Sequence, residues 1–257
     1  MMTQYKRFTT YSLHCFWNNK KRMIFCLFVL LISTLASFIS QVNVYKNSDI
    51  VFSFADFLLQ TGYPLIFYTN LVILPCFVIS TFINFDFSVN SIIRYAISRS
   101  IYFKQCVLAN IVSLIFVVYQ FVITTIIGCN LTNVKINFSQ KNSLFCFINQ
   151  GRTSDVSLIK VFLLSSLFCF FSSLFFSLLY IIMKWLLHND MAIFLFVIIF
   201  YILDYVCGIG VCNLFGVYYE KWFPYNWLNL IIILLMSIAI FLMGRFVSGR
   251  KEFLNAT

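Results

Sequence analysis

Residues 158–183 read LIKVFLLSSLFCFFSSLFFSLLYIIM, a run whose single charge is Lys160, close to its start. A helix rises about 1.5 Å per residue, so some 17–25 apolar residues cross a hydrocarbon core of roughly 30 Å. This run is long enough, and a soluble fold has no way to cover it on all sides. The whole chain extends the pattern: 61% of its residues are hydrophobic, only 10% are charged, and its mean hydropathy is +0.92. Ordinary soluble domains carry about 25% charged residues, so lipid is the solvent for most of this surface. Working outward from 158–183, five further runs of spanning length emerge: Met23–Ser40, Tyr63–Ile83, Cys106–Gly128, Met191–Cys207 and Trp227–Met243. The expected fold is therefore a single all-α transmembrane domain over residues 1–257 with six transmembrane helices.

Lysine and arginine orient such a chain, because cytoplasmic segments retain them. With both termini inside, twelve cations fall in inner segments and six in outer ones, and the acids lean the other way. N-in, C-in is the expected topology. Trp17, Trp185, Trp222 and Trp227 all fall at expected interfaces, where tryptophan concentrates. The net charge of +10 is spread in short clusters beside apolar runs, which suits anionic lipid heads and excludes a nucleic-acid-binding domain. The polar lead of 22 residues is too long for a signal-peptide n-region, so the first run is expected to be a retained span.

Three segments outside the spans carry information. Residues 1–22 place Lys6, Arg7, Thr10, His14 and Asn18 in one helical sector and Tyr5, Phe8, Cys15 and Phe16 opposite, which fits an N-terminal interfacial helix. Between spans two and three, Arg94, Tyr95, Ser98, Arg99 and Tyr102 share one helical face, while Ile93, Ala96, Ile97, Ile101 and Phe103 share the other. That pattern is a short amphipathic helix on the inner surface: either a solvated, arginine-anchored loop or a docking element for a cytoplasmic partner. The segment Cys129–Ser157 is polar and contains two glycosylation acceptor patterns, Asn130-Leu131-Thr132 and Asn137-Phe138-Ser139. Residues Gly208–Asn226 fit a short re-entrant element.

Recognisable chemistry is sparse. The sequence has no GxxxxGK[ST], HExxH, GxSxG or GxGxxG pattern, and its two histidines, His14 and His188, are far apart, so no catalytic constellation or ATP site is expected in this chain. The nine cysteines contain no CxxC pair, so no metal site is expected; Cys129 with Cys146, or Cys207 with Cys212, share outer segments and are available to pair. Ionisable residues near the spans reduce to Asp204, a possible outer polar site, and Lys160, both close enough to an outer interface to snorkel. A proton-coupled transporter is hard to build from these groups.

The layout resembles the ABC-2 type permeases, and the stretch Ile93-Arg94-Tyr95-Ala96-Ile97-Ser98-Arg99-Ser100-Ile101-Tyr102-Phe103-Lys104 is similar to the inner loop of bacterial peptide-export and bacteriocin self-protection permeases. The resemblance implies a non-enzymatic permease subunit in a bacterial cell membrane, exporting an amphipathic or hydrophobic substrate such as a peptide or lipid-like molecule. It further implies separate ABC ATPase subunits that hold ATP and Mg, and a second permease copy or a homologous permease. The coupling helix would then contain Arg94, Ser98, Arg99, Tyr102 and Lys104, and aromatic and hydroxyl residues of spans two and five would line a path between the two copies. Where relatives often carry a glutamate and a glycine before this helix, Phe85-Asp86-Phe87-Ser88 stands here. The alternative is a non-transporting accessory, immunity or sensor subunit.

Overall fold

The computed structural model describes residues 20–45, 50–86, 98–187, 189–207 and 226–250. These residues form helices α1 (Lys20–Tyr45), α2 (Phe54–Gln60), α3 (Pro64–Ile66), a π-helical segment (Phe67–Ile73), α4 (Leu74–Asp86), α5 (Ser98–Leu131), α6 (Leu144–Ile148), α7 (Leu158–Leu187), α8 (Asp190–Cys207) and α9 (Asn226–Arg250). No strand occurs among them; one isolated bridge joins Val51 to Ser143. α3, the π segment and α4 run on as one rod, begun by Pro64, whose missing N–H costs nothing in a first turn.

Five helices are long and apolar enough to cross a membrane: α1, the α3–α4 rod, α5, α7 and α9. They overlay the first four and the last of the expected runs. α8 matches the remaining one but is shorter, with Asp190–Leu203 as its described apolar stretch. The segment expected to form the interfacial helix lies outside the described residues up to position 19, and Lys20, Lys21 and Arg22 belong to α1.

The largest difference concerns the third run. α5 begins at Ser98, not near Cys106, and its 34 residues give a helix roughly 51 Å long at 1.5 Å per residue. Such a rod is longer than a hydrocarbon layer of roughly 30 Å is thick. Ser98–Lys104 is thus the first part of the spanning helix; whether a separate helix precedes it falls on positions outside the described residues.

α5 and α7 form the centre and run antiparallel. Gln105 meets Trp185 at one end, Ser113 meets Ser177 further along, and Phe121 meets Phe162 toward the other. α7 also packs against α2, the π segment, α4, α8 and α9, which makes it the hub. α1 and α9 are peripheral: only 22% of each spanning window is buried, against 61% for α7. Their outward faces are apolar, with Ile24, Phe28, Ile231 and Leu235 exposed. Water would penalise that surface, whereas lipid leaves it neutral and lets packing alone hold the helices together.

The expected polar loop between α5 and α7 is a folded cap. Val51 N–H donates to Asn142 O at 2.9 Å, Phe54 N–H to Val134 O at 2.8 Å and Ala55 N–H to Lys135 O at 3.1 Å. Beneath these bonds Phe138 and Phe145 stack with centroids 4.2 Å apart. Asn137 is buried and donates to Val51 O at 2.8 Å, so its acceptor pattern is structural and closed to glycosylation, whereas Asn130 stays exposed. Cys129 and Cys146 are free thiols, one exposed and one buried. Asp56 is buried and accepts from Ser53 N–H at 2.6 Å and Ser53 Oγ at 2.7 Å, which closes the first turn of α2.

At the opposite end α9 carries Gly244 where it meets α5. A Cβ there would overlap the phenol of Tyr102, which is buried and donates to Phe241 O at 3.1 Å. Gly244→Ala is expected to destabilise the protein by about 1–3 kcal/mol through overpacking. Thermal unfolding in detergent reads the effect, and Tyr102→Leu in the Gly244→Ala background should recover part of it; strict additivity would contradict the contact.

Candidate functional site

Polar groups gather at two levels of the bundle. One is the end where α5 starts, and there lies the small part of the expected coupling residues that the structure describes. Arg94 lies outside the described residues; Ser98 and Arg99 open α5, their side chains likewise outside. Tyr102, expected on the polar face of a surface helix, and Lys104, expected in the coupling helix, are both buried: Tyr102 sits edge-on to Trp185 and tilted against Phe241. As α5 continues into the core, Ile101, Tyr102 and Lys104 turn toward neighbours while Phe103 stays exposed, an arrangement that the wheel of an isolated segment does not show. Trp185, expected at the lipid headgroups, is also buried and donates Nε1–H to Gln105 Oε1 at 2.7 Å.

Beside it Asp190, at the start of α8, gathers three elements. Tyr180 Oη donates to Asp190 Oδ1 at 2.6 Å, Lys184 Nζ to the same oxygen at 2.9 Å, and Asn84 Nδ2 to Oδ2 at 2.9 Å. Lys184 is buried, and its ion pair offsets the desolvation of both charges. Burial acts to raise the carboxyl of Asp190, but the bonds from Tyr180, Asn84 and Lys184 outweigh it and hold the group below its ordinary value. This clamp ties α4, α7 and α8 together.

The second level lies deep inside, where no expected site residue falls. Asn70, in the π segment, donates Nδ2–H to Thr34 Oγ1 at 3.1 Å and to Gln120 Oε1 at 3.2 Å. Thr34 Oγ1 donates to Gln120 Oε1 at 3.1 Å, and Ser33 Oγ donates to Asn70 Oδ1 at 2.5 Å. Thr34, Asn70 and Gln120 are all buried, so α1, the α3–α4 rod and α5 meet through one uncharged network. The π turn brings Asn70 to this junction: the wider ring shifts the register of the following residues and is a common device at functional sites. Asp204, the other expected polar site, lies in α8 with its side chain outside the described residues.

The network rests on amides and hydroxyls, so the positions of ionisable residues along the chain do not reveal it. A visible signal was present: Asn70 and Gln120 each stand within an apolar run, where an unpaired amide costs several kcal/mol. An amide there asks for a partner on another helix. Among the described residues no cluster of three His, Cys, Asp or Glu side chains is placed to hold a metal ion.

Comparison with protein-family models finds no match, and comparisons with curated proteins and with solved structures find none either. The two levels of polar contact therefore stand on their geometry alone.

Gln120→Ala removes the acceptor of both Asn70 and Thr34 and is expected to cost about 1–3 kcal/mol for the buried groups it leaves short of partners. Thr125→Ala, which removes a hydroxyl bonded only to Phe121 O of its own helix at 2.7 Å, is the control and should cost much less. Unfolding midpoints of the two variants in the same nanodisc test this, and equal shifts would contradict a cross-helix network. For the clamp, a depressed carboxyl contributes stability above its unfolded pKa and loses it as pH falls through the folded one. The unfolded reference is 3.8. Stability should therefore hold from neutral pH down to about 4 and fall below it. Asp190→Asn should flatten that acid limb of the melting curve, and an unchanged limb would rule the clamp out as its source.

Proposed function

We propose that this chain is the transmembrane permease subunit of an ATP-binding-cassette exporter, with six spans, both termini in the cytoplasm and a separate ATPase as its engine. The observation that carries the proposal is that α5 starts at Ser98, so that Arg99, Tyr102 and Lys104 of the expected docking segment stand in the first turns of a spanning helix. A push on that segment travels along one rigid rod to Tyr102, Gln105 and finally Gln120, which bonds to the π segment and to α1. In this mechanism closure of the ATPase around its nucleotide and Mg moves the docking segment, α5 transmits the movement, and the deep polar junction rearranges. The sequence itself holds no nucleotide-binding motif, so ATP hydrolysis belongs to the partner.

The cargo that fits is amphipathic or hydrophobic, such as a peptide or a lipid-like molecule. The deep network has hydroxyls and amides but no charge, and aromatic residues surround it: Tyr68 touches Phe176 and Tyr201, and Phe67 touches Phe168. A second permease copy, or a homologous one, would complete the path in the bacterial cell membrane. A non-transporting accessory, immunity or sensor subunit is the second reading. What favours it is the closed packing of the polar junction within a single chain, where Thr34, Asn70 and Gln120 are buried.

Affinity purification in mild detergent, followed by mass spectrometry, separates the two. The exporter reading expects a stoichiometric partner carrying a Walker A motif, and expects Arg94→Glu with Arg99→Glu to abolish its recovery while membrane insertion persists. An unchanged yield of ATPase from the double variant would remove the docking role, and a chain recovered without any ATPase would favour the accessory reading.

A further inference from the structure

Three amides stand in the apolar part of α5. Gln105 and Gln120 are buried and bonded to other elements, Gln105 to Trp185 and Gln120 to Asn70 and Thr34. Asn110 is exposed and has no hydrogen-bond partner among the described residues. It lies between Gln105 and Ser113, which meets Ser177 of α7. At 1.5 Å per residue it stands roughly 8 Å deeper than Gln105. Lipid tails offer an amide no partner at that depth.

The amide lines a hollow of about 510 Å³ between α5, α7 and α9, walled by Ile111, Leu174, Leu178, Ile238 and Phe241. Phe103, Ile111 and Ile238 are exposed at its lip, so it opens toward lipid. A second hollow of about 510 Å³ continues along the same two helices, because Leu114 follows Ile111 by one turn of α5 and Phe170 precedes Leu174 by one turn of α7. Its two hydroxyls, of Thr125 and Ser166, bond to carbonyls of their own helices, which leaves an apolar lining. From Asn110 to Ile126 the path runs about 24 Å, more than the roughly 15 Å of one leaflet's hydrocarbon. Beyond the other end of the groove stands Arg245, one turn past Phe241 on α9, exposed and in no ion pair among the described residues. Helical Cβ atoms tilt toward the N-terminus, and α5 and α9 run antiparallel, so Asn110 and Arg245 lean toward each other.

We propose that this groove holds one anionic phospholipid, with its phosphate on the Arg245 guanidinium, an ester carbonyl accepting from Asn110 Nδ2, and one tail lying along α5 and α7. The order of polarity selects this occupant: cation, amide and apolar channel follow one another as phosphate, ester and tail do in the lipid. A guanidinium fork matches phosphate oxygens, and an amide N–H deep in hydrocarbon needs an uncharged acceptor. A second copy seated on the same face in the same membrane orientation would set Arg245 beside its own counterpart, and the like charges oppose that contact. The site is independent of whether the chain exports a cargo.

Native mass spectrometry of the full chain, titrated in detergent with phosphatidylglycerol or phosphatidylcholine, tests it. One phosphatidylglycerol should be retained in preference to phosphatidylcholine at equal concentration; equal retention of the two overturns the proposal without any variant. Arg245→Gln should weaken the retained lipid by about tenfold, and Asn110→Leu should weaken it as well. Both positions are exposed, so both variants are expected to fold, and melting curves without added lipid check this. Arg250→Gln is the control: it removes the same charge from the same helix, but its guanidinium lies over the Phe246 ring at 4.0 Å. Equal losses from Arg245→Gln and Arg250→Gln would reduce the effect to diffuse attraction by a basic protein and overturn the site. Undiminished retention by Asn110→Leu would overturn it too, and a dimer that disappears in Asn110→Leu would assign the face to a second copy instead.

Discussion

A polar group inside hydrocarbon has no water to fall back on, and each one must be paired within the protein. The backbone meets this demand by forming helices, and the described chain is helical wherever it is apolar enough to cross. The side chains meet it at two levels. At one end Asp190 is satisfied by Tyr180, Lys184 and Asn84. Deep in the bundle Asn70 donates to Thr34 and to Gln120, and Thr34 donates to Gln120. Lipid supplies no hydrophobic drive to join helices already surrounded by acyl chains, so these cross-helix bonds and close van der Waals packing choose the partners. The peripheral position of α1 and α9 follows. α1 joins the bundle through the short polar junction at Ser33 and Thr34, and α9 through packing on α7 and the Tyr102 contact at Gly244.

The length of α5 gives this arrangement a mechanical meaning. A helix of 34 residues is stiff over its length, and it carries contacts of both levels on one rod. Its first turns hold Tyr102 against α9 and Gln105 against Trp185, and its second half holds Gln120 against the π segment. A π turn is a local departure from the regular ladder that persists when its surroundings favour it. In this register the Asn70 amide reaches Thr34 and Gln120.

The cap at the far end obeys the rules of water, not of lipid. It is built from backbone bonds between residues 51–55 and 134–144, a stacked phenylalanine pair and a tight turn with Gln150 and Gly151 in the left-handed region. Its core is small, and its exposed side chains include Gln140 and Lys141 beside Phe147. It holds α2 against the top of α5, where Gly128 leaves room for Phe54. The cap fixes the entry to the α3–α4 rod and thereby the height at which Asn70 enters the bundle.

Much of this was legible in the sequence, because its causes are local and additive along the chain. Apolar length sets whether a segment crosses, and the runs beginning at Met23, Tyr63, Cys106, Leu158 and Trp227 all correspond to helices long enough to do so. What the sequence left open depends on which residues meet across helices. The wheel of residues 93–104 assigns Tyr102 to a solvated face, yet continuity with α5 buries it against α9. Trp185 has the composition of an interface residue and the position of a core one, because Gln105 waits for its N–H. Asn137 fits an acceptor pattern and serves as a strut. Asn70 and Gln120, each a lone amide in an apolar run, acquire meaning only when the π turn and the antiparallel packing of α5 and α7 bring them within hydrogen-bond reach. The amino-acid sequence by itself determined the solvent and which runs become the long apolar helices, since those follow from hydropathy summed over neighbours in the chain. Only the tertiary structure decided the partners of the buried polar groups, since a hydrogen bond is set by distances of about 3 Å between segments far apart in sequence.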